Sequence, residues 1–416
     1  MSEFVPEGWK PCELGSLASK IEGGGTPSRN EPLFWGGNIP WATVKDLKGV
    51  RLSVTQEYIS QLGLDKSASK LIPANTLIIA SRMAVGKAVV FDKSVSINQD
   101  LKAFYPKPSI ETEYLLHWYL SKAEIIENMG TGSTVKGIKL DDIKTLPIDL
   151  PPLPEQQKIA AILTSVDEVI EKTQAQINKL KDLKTGMMQE LLTRGVGVDG
   201  KPHTEFKDSP VGRIPKGWAV VKLSDTGKWK GGGTPSKSNK NYWSGSIPWV
   251  SPKDMKLDLI SRTKDLITED AIKGSSTNLI TKNSLLMVVR SGILQHTLPV
   301  AIAACDLTIN QDMKALSVSK GYCVNFIFYY LQAHNHTVLR ATLKAGNTVE
   351  SIDFNEFGKY LIPSPSLEEQ VRISDVIASI SNKIKVKEYK LSSLKNTKKA
   401  LMQDLLTGKV RVKVDS

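Results

Sequence analysis

The side chains that most often carry out bond-making chemistry are sparse in this sequence and lack catalytic spacing. The five histidines show no metal-ligand spacing. Cys12, Cys305 and Cys323 form no C-x-x-C pair, so neither a zinc site nor a disulfide framework is indicated, and we expect all three to be buried. The segment 149–154, DLPPLP, is not the Asn/Asp-Pro-Pro-aromatic loop expected of a methyltransferase acting on adenine amino groups. We therefore predict no catalytic residue and no metal ligand in this chain.

A glycine-rich segment is the next candidate for binding chemistry. GGGTPS occupies residues 23–28 and recurs letter for letter at 231–236. It lacks the lysine with which a Walker loop ends, and no G-x-G-x-x-G follows a strand, so a nucleotide site is not indicated. We expect a tight turn in each copy, with backbone N–H groups contacting a phosphate as the alternative.

Other segments repeat in the same order and at nearly the same offset. They are NIPWATVKDL and SIPWVSPKDM (38–47 and 246–255), INQDLKA and INQDMKA (97–103 and 309–315), and GMMQELLT and ALMQDLLT (186–193 and 400–407). The chain is therefore one module of about 200 residues, present twice with small loop insertions.

Each module divides into a mixed part and a helical part. Residues 1–150 and 206–362 combine short β-like runs with one helical stretch each, which predicts two similar mixed α/β domains of the α+β class. Residues 151–205 and 363–416 begin with proline-containing segments and then carry apolar residues at steps of three and four. These steps predict long helices over about 155–194 and about 369–408, the first followed by a linker. The apolar stripe of each long helix needs a partner, which favours pairing of the two helices over two separate amphipathic helices. Chain geometry then favours an antiparallel coiled coil with internal pseudo-two-fold symmetry over a parallel one.

The charge of the chain points to an acidic partner, of which nucleic acid is the commonest. The formal net charge is +12. Residues 1–150 carry 17 basic and 17 acidic side chains, whereas residues 206–362 carry 20 basic and 12 acidic side chains. Any contact of the first domain with nucleic acid must therefore come from a local patch.

The sequence shows no sign of a membrane segment or a secretory signal. The N-terminal residues lack a basic start followed by an apolar core, and no apolar run approaches the ~20 residues that span a bilayer. We expect a cytoplasmic protein without a membrane partner.

Two similar α/β-type domains that alternate with two similar long helices resemble the specificity subunit of type I restriction-modification systems. The resemblance rests on LPPLPEQQKIAAIL at the start of the first helix, MQELLTRG at its end, and the INQD and GGGTPS segments of each domain. It implies that each domain is a target recognition domain that reads one half of a bipartite, gapped DNA site. It also implies that the helices set the gap and dock two methyltransferase subunits, to which restriction subunits that translocate DNA add. S-adenosylmethionine, ATP and Mg²⁺ would then bind the partner subunits, and this chain would be non-catalytic and bind no cofactor. A stand-alone bipartite DNA-binding regulator is the alternative.

The internal repeat separates candidate scaffold residues from candidate base readers. Residues identical in both copies cannot distinguish two different half-sites, so Asn98, Gln99, Asn310 and Gln311 are predicted to contact the scaffold, a phosphate or a partner. Lys45 and Lys253 are predicted to meet phosphates.

Base readers are expected where the two copies diverge. Arg82 and Arg290 precede divergent segments but are equivalent to each other, so both base reading and anchoring to the DNA backbone remain open. Lys87, Gln295 and His296 are the predicted discriminators. Lys136 and Lys344 flank loops and are either phosphate contacts or solvated lysines. Seven lysines between 383 and 399 are either a solvated helix face or a surface for the unread gap or an acidic partner.

Overall fold

The computed structural model describes residues 5–132, 134–197, 200–344 and 349–414, and the chain divides into two compact units. Unit 1 comprises Met1–Ala175 and Glu388–Ser416, and unit 2 comprises Gln176–Lys387. Both boundaries fall inside long helices, because each long helix packs with one part of its length in each unit.

In the described residues of unit 1, short strands and four short α-helices precede the first long helix. The strands are β1 (Lys10–Glu13), β2 (Ala18–Gly23), β3 (Trp35–Ala42), β4 (Arg51–Leu52), β5 (Glu57–Ile59), β6 (Leu71–Ile72), β7 (Leu77–Ala80), β8 (Ala88–Phe91), β9 (Val95–Ile97), β10 (Leu101–Pro106) and β11 (Pro147–Leu150). The helices are α1 (Gln61–Asp65), α2 (Thr112–Ser121), α3 (Ala123–Met129) and α4 (Leu140–Lys144). The first long helix, α5, runs over Leu153–Arg194.

Unit 2 repeats this series of elements. Its strands are β12 (Phe206–Ser209), β13 (Gly212–Pro215), β14 (Ala219–Lys222), β15 (Gly227–Gly231), β16 (Ile247–Val250), β17 (Leu259–Ile260), β18 (Asp265–Ile267), β19 (Leu279–Ile280), β20 (Leu285–Val288), β21 (Val300–Ala303), β22 (Leu307–Ile309), β23 (Met313–Val318) and β24 (Leu361–Ser364). Its helices are α6 (Glu269–Lys273), α7 (Val324–Ala333), α8 (Asn335–Thr342) and α9 (Phe354–Lys359). The second long helix, α10, runs over Leu367–Leu405.

The sheets of the two units have the same strand order, which confirms the duplication inferred from the sequence. Unit 1 has a five-stranded sheet, β2-β10-β7-β8-β4, a four-stranded sheet, β5-β3-β9-β6, and the pair β1-β11. Unit 2 has β15-β23-β20-β21-β17, β18-β16-β22-β19 and β14-β24, with an additional hairpin, β12-β13. Most pairs are antiparallel, but β3-β9 and β4-β8 pair in parallel in unit 1, as do β16-β22 and β17-β21 in unit 2. The fold is therefore of the mixed α+β class that the sequence predicts.

The helical stretch predicted in each domain is two helices rather than one. Lys122, between α2 and α3, leaves the helical region with φ −98° and ψ 6°, and His334 does the same between α7 and α8. The break lets both helices of unit 1 bury apolar side chains in one core, where Tyr119 and Ile126 are fully buried.

The long helices pack antiparallel within each unit. In unit 1 Lys398 Nζ of α10 lies 2.6 Å from Asp167 Oδ1 of α5. In unit 2 Lys387 Nζ donates to Gln176 Oε1 at 2.8 Å. Beyond the helix ends, Arg411 pairs with Glu155 in unit 1, and Val196 N donates to Glu369 in unit 2. In both units the contacts on α10 move toward its N-terminus as those on α5 move toward its C-terminus.

The domain cores continue onto these helices. In unit 1 Ile159 and Leu163 of α5 and Leu405 of α10 are buried with Tyr114 and Trp118 of α2. The apolar side chains of both long helices are therefore buried in the domain core in this region.

Candidate nucleic-acid interface

The repeated segments of unit 1 form one hydrogen-bonded scaffold. The carbonyl oxygen of Gly25 accepts from Trp41 Nε1 at 3.0 Å and from Ser69 Oγ at 2.9 Å. Thr26 Oγ1 donates to Gln99 Oε1 at 2.6 Å. GGGTPS, the IPW segment and INQD, which are distant in sequence, therefore meet at one place.

Unit 2 builds the same scaffold from its own copies. The carbonyl oxygen of Gly233 accepts from Trp249 Nε1 at 2.9 Å and from Thr277 Oγ1 at 2.6 Å. Thr234 Oγ1 donates to Gln311 Oε1. The segments that are repeated in the sequence are thus the segments that contact one another in each unit.

The glycine-rich segment is not the tight turn that we expected. None of the glycines at 23–25 has positive φ, and residues 24–28 follow β2 without regular structure. A Cβ atom at Gly24 would lie 1.7 Å from the carbonyl oxygen of Ile97, and one at Gly232 would lie 2.0 Å from that of Ile309. Glycine is needed here for close approach between two backbone segments rather than for a turn.

The INQD residues divide between buried and exposed roles. Asn98 and Asn310 are each 6% exposed. Asn98 Nδ2 donates to Asp100 Oδ2 at 3.0 Å, and Asn310 makes the matching contact at 3.1 Å. Gln99 and Gln311 are exposed and hold the threonines of GGGTPS. Asn98 and Asn310 therefore lie inside the scaffold, whereas Gln99 and Gln311 lie at its surface.

Arg82 and Arg290 occupy equivalent positions beside these aspartates. Arg82 Nη1 lies 3.6 Å from Asp100 Oδ1, and Arg290 Nε lies 3.5 Å from Asp312 Oδ1. Both side chains remain more than half exposed, at 55% and 64%. The carboxylates orient the guanidinium groups and leave donors available to a ligand.

A cleft of about 540 Å³ in unit 2 brings several predicted residues together. Its lining includes Lys253, Arg290, Asn310 and Gln311, with Lys237 and Asp265 beside them. A cleft with three cationic side chains suits an anionic backbone such as that of DNA.

Lys237 lines this cleft and was missed by the sequence analysis. Its counterpart in unit 1 is Arg29, which follows the other copy of GGGTPS. Arg29 stacks over the ring of Trp35, 3.6 Å from the ring centre, and forms two hydrogen bonds with Glu57. The bonds from Arg29 lower the pKa of the Glu57 carboxyl. Lys237 has no such ion pair among the described residues. The shared offset within GGGTPSR and GGGTPSK could have identified it.

Lys253 also lines a second cleft of unit 2, of about 420 Å³, with Ile293 and Thr297. The 3-10 helix Gly292–Gln295 lies between β20 and β21 in the divergent segment. Lys253, from a repeated segment, is thus next to the segment predicted to discriminate bases.

Gln295 and His296 lie at the end of this 3-10 helix, and both are exposed. Gln295 Nε2 donates to Glu350 Oε1 at 2.6 Å. This hydrogen bond lowers the pKa of Glu350. Gln295 is therefore held by a carboxylate that the sequence analysis did not consider.

The predicted lysines of unit 1 are spread over three surface segments. Lys45 is exposed on the 3-10 helix Val44–Asp46, as Lys253 is on Pro252–Asp254. Lys87 is exposed in the turn between β7 and β8. The carbonyl oxygen of Lys136 accepts from Met83 N at 2.8 Å, so Lys136 adjoins the same turn.

Lys344 of unit 2 is exposed and lies 4.0 Å from Asp353 Oδ2. Its backbone N–H donates to the carbonyl oxygen of Ser351 at 2.9 Å. It is therefore not at the position equivalent to Lys136, because Lys136 precedes Gly137 and Ser351 takes the place of Gly137.

A buried glutamate at the start of each long helix was also missed. Glu155 accepts from Trp9 Nε1 at 3.0 Å and from Arg411 Nε and Nη2 at 2.7 and 2.8 Å. Glu369 accepts from Trp218 Nε1 at 2.9 Å and contacts His203 Nε2 at 2.8 Å. Each carboxylate fastens the segment that follows the other long helix.

The next residue in each helix joins it to its domain. Gln156 Nε2 donates to Pro151 O at 2.9 Å while its Oε1 accepts from Glu111 N at 2.9 Å. Gln370 makes the corresponding bonds with Pro365 O and Cys323 N, both at 2.9 Å. The repeated Glu-Gln pair could have indicated these contacts.

The lysine row on α10 is not uniformly solvated. Lys398 pairs with Asp167 and has a side chain only 14% exposed, and Lys387 is bonded to Gln176.

The cysteines, expected to be buried, are all partly exposed. In the part of the chain that is described, we find no cluster of three His, Cys, Asp or Glu side chains able to hold a metal. The helices within the described ranges include none long and apolar enough to cross a membrane.

Comparison with known proteins gives a consistent set of similarities. A family model described as a type I restriction modification DNA specificity domain matches residues 6–182 and again residues 215–396. The specificity subunit of the type I restriction enzyme EcoR124I/EcoR124II of Escherichia coli is 37% identical over 240 residues, which span 56% of this chain and 55% of that protein. The MjaIX specificity subunit of Methanocaldococcus jannaschii is 25% identical over 98% of this chain and 95% of its own.

A solved structure shares the fold. The crystal structure of the type I restriction-modification S subunit from M. genitalium superposes with a TM-score of 0.63 at 15% identity, covering 97% of this chain and 98% of that one.

Proposed function

Because the chain belongs to the type I restriction-modification DNA specificity family, we propose that it is the DNA sequence-recognition subunit of a type I restriction-modification complex. Each unit reads one half of a bipartite, gapped target in double-stranded DNA. The chain is a specificity subunit and not itself the enzyme.

One observation carries this proposal. The two family matches fall on two units in which the same three segments form the same scaffold, through Trp41 and Gly25 in one unit and Trp249 and Gly233 in the other. Beside each scaffold lies a turn in which the two copies differ, 83–87 in unit 1 and 291–299 in unit 2. A constant frame that carries variable turns suits two readers of different half-sites.

The charged groups support contact with phosphates next to these turns. Lys237, Lys253 and Arg290 line one cleft of unit 2. Phosphate contacts fix the orientation of a protein on the duplex, while neighbouring groups read base edges. Lys253 supplies the first and the segment with Gln295 and His296 supplies the second.

The long helices supply the spacing and the surface for partners. A groove of about 930 Å³ in unit 2 lies between α5 and α10, and its lining includes Leu180, Ala378 and Val386. Val386 is 68% exposed. An exposed apolar groove of this kind fits a methyltransferase subunit, of which the complex would hold two.

The cofactors of DNA methylation and restriction would belong to the partner subunits. S-adenosylmethionine would bind the methyltransferase subunits, and ATP and Mg²⁺ would bind the restriction subunits, which translocate DNA. This chain would bind no cofactor. It would work in the cytoplasm, where the target DNA is accessible.

Two experiments test the proposal. The tagged chain, expressed in its own host, should co-purify with a methyltransferase, and deleting its gene should abolish methylation at one bipartite motif mapped by single-molecule sequencing. Sequence-specific DNA binding without a methyltransferase partner would favour a stand-alone regulator. Unchanged genomic methylation after deletion would contradict the proposal.

A further inference from the structure

A pair of oppositely charged residues occupies the same structural position in the two units. In unit 1 Arg82 forms an antiparallel bridge with Gly137, and in unit 2 Arg290 forms the same bridge with Ser351. The residues that precede Gly137 and Ser351 are Lys136 and Glu350. The two positions are therefore equivalent, although their charges are opposite.

Backbone hydrogen bonds confirm this equivalence. The carbonyl oxygen of Lys136 accepts from Met83 N at 2.8 Å, and that of Glu350 accepts from Ser291 N at 3.0 Å. Met83 and Ser291 are the residues after Arg82 and Arg290. Both Lys136 and Glu350 thus adjoin the first residue of the divergent turn.

Glu350 is partly exposed and held in place. Its carboxylate accepts from Gln295 Nε2 at 2.6 Å, which fixes one carboxylate oxygen beside the divergent 3-10 helix. The same hydrogen bond keeps the pKa of Glu350 low, so the group is ionised at neutral pH. The carboxylate is therefore a fixed acceptor on the surface that carries the predicted readers.

An ionised carboxylate in this place is unfavourable toward the DNA backbone. Phosphates repel the carboxylate. Its domain, residues 206–362, carries 20 basic and 12 acidic side chains, and this excess of positive charge suits DNA. The donors that the major groove offers to a carboxylate are base amino groups, of which the cytosine N4 amino group is the usual partner of Glu and Asp. Lysine, in contrast, donates to guanine O6 and N7.

We propose that Glu350 is a specificity-determining residue that accepts a hydrogen bond from a cytosine amino group in the half-site of unit 2. Lys136 is its counterpart in unit 1 and donates to a guanine at the corresponding place in the other half-site. Gln295 acts as a positioning residue that orients the Glu350 carboxylate. This inference rests on the proposed function, because it requires that each unit reads one half-site.

The test is selection of DNA from a random duplex library by the complex that co-purifies with the tagged full-length chain. Glu350→Lys should change one column of the unit 2 half-site from cytosine to guanine and leave the unit 1 half-site unchanged. Lys136→Glu should produce the opposite change in the unit 1 half-site. The matched control is Glu356→Lys, which makes the same charge change on α9, where Glu356 is exposed and bonded to Lys359. Circular dichroism of each variant checks folding.

A second measurement isolates the amino group. Replacing the selected cytosine by 2-pyrimidinone, which lacks the amino group, should weaken binding of the wild-type chain roughly 10-fold and that of Glu350→Ala hardly at all. Equal losses for both proteins would overturn the inference.

The outcomes distinguish a failure of the Glu350 assignment from a failure of the proposed function. A wild-type chain that selects a bipartite motif, with the same motif for Glu350→Lys and only a uniform gain in affinity, overturns the role of Glu350 and leaves the proposed function standing. A wild-type chain that selects no motif overturns both.

Discussion

Lys398 Nζ of α10 lies 2.6 Å from Asp167 Oδ1 of α5, and the two side chains are only 14% and 12% exposed. The pair joins the two long helices inside unit 1. His117 Nδ1 of α2 lies 3.8 Å from the same carboxylate, so the domain and both helices meet at Asp167.

Removing one member of this ion pair should destabilise unit 1 strongly. Asp167→Asn leaves the Lys398 ammonium largely buried without its counter-charge, which should lower the free energy of unfolding by about 3 kcal/mol. The double variant Asp167→Asn with Lys398→Met should recover much of that loss, since no unpaired charge remains. Urea unfolding of the single and double variants measures both effects, and additive losses would contradict this account.

Buried His117 should make unit 1 sensitive to acid. Burial, and then the charge of Lys398, lower the pKa of His117 from 6.5 to about 3. Between these values the unfolded chain binds a proton that the folded chain does not, so stability falls as the pH drops below about 6.5. At pH 5 the loss should approach about 2 kcal/mol.

The variant His117→Gln keeps a polar group near Thr164 and removes the titration. Its unfolding free energy should fall less between pH 7 and pH 5 than that of the wild-type chain. Identical pH profiles for the two proteins would show that another group dominates.

The carboxylate of Glu369 should be essential to unit 2. It is 2% exposed and accepts from Val196 N and Gly197 N, both at 3.1 Å, as well as from Trp218. Glu369→Gln replaces one accepting carboxylate oxygen by an amide NH2 group that faces these N–H donors. The change should cost about 2 to 4 kcal/mol of unfolding free energy. The neighbouring Glu368→Gln, which breaks a surface pair with Arg372, should cost less than about 1 kcal/mol in the same thermal or urea assay.

Two glycines should respond to alanine in opposite directions. Gly24→Ala places a Cβ 1.7 Å from the carbonyl oxygen of Ile97 and should destabilise unit 1 by about 3 kcal/mol or more. Gly186→Ala meets nothing within 4 Å in α5 and should stabilise by about 0.5 to 1 kcal/mol. The other copy carries Ala400 at the position matching Gly186. Thermal unfolding of both variants checks the signs, and a gain for Gly24→Ala would refute the close approach.

Phosphate contacts and base contacts should differ in their dependence on salt and sequence. Lys253→Ala should weaken binding to all DNA sequences alike and reduce the salt slope by about 1. Gln295→Ala should relax one position of one half-site with little change in slope. Lys216→Ala, at a lysine paired with Glu205, is the control and should change neither. Binding titrations at several salt concentrations decide, and a uniform loss from Gln295→Ala would remove it from the readers.

The duplication, the mixed domains and the long helices could be predicted from the amino-acid sequence alone. Repeated segments and apolar steps of three and four are local signals, and they indicate elements whatever those elements contact later. The family resemblance rested on the same segments. Asn98 was predicted from this repeat to contact the scaffold, a phosphate or a partner, and the structure buries it in a hydrogen bond with Asp100.

Which distant residues contact one another became known from the folded structure. Lys136 corresponds to Glu350 rather than to Lys344 because two backbone bridges fix the register of the loop, and the loop lysines alone carry no such information. Glu155 and Glu369 look like ordinary first-turn acids until the segment after the other helix is folded onto them. Gly24 looks like a turn residue until the Ile97 backbone arrives beside it. In each case the partner is a long-range contact, so local propensity could not specify it.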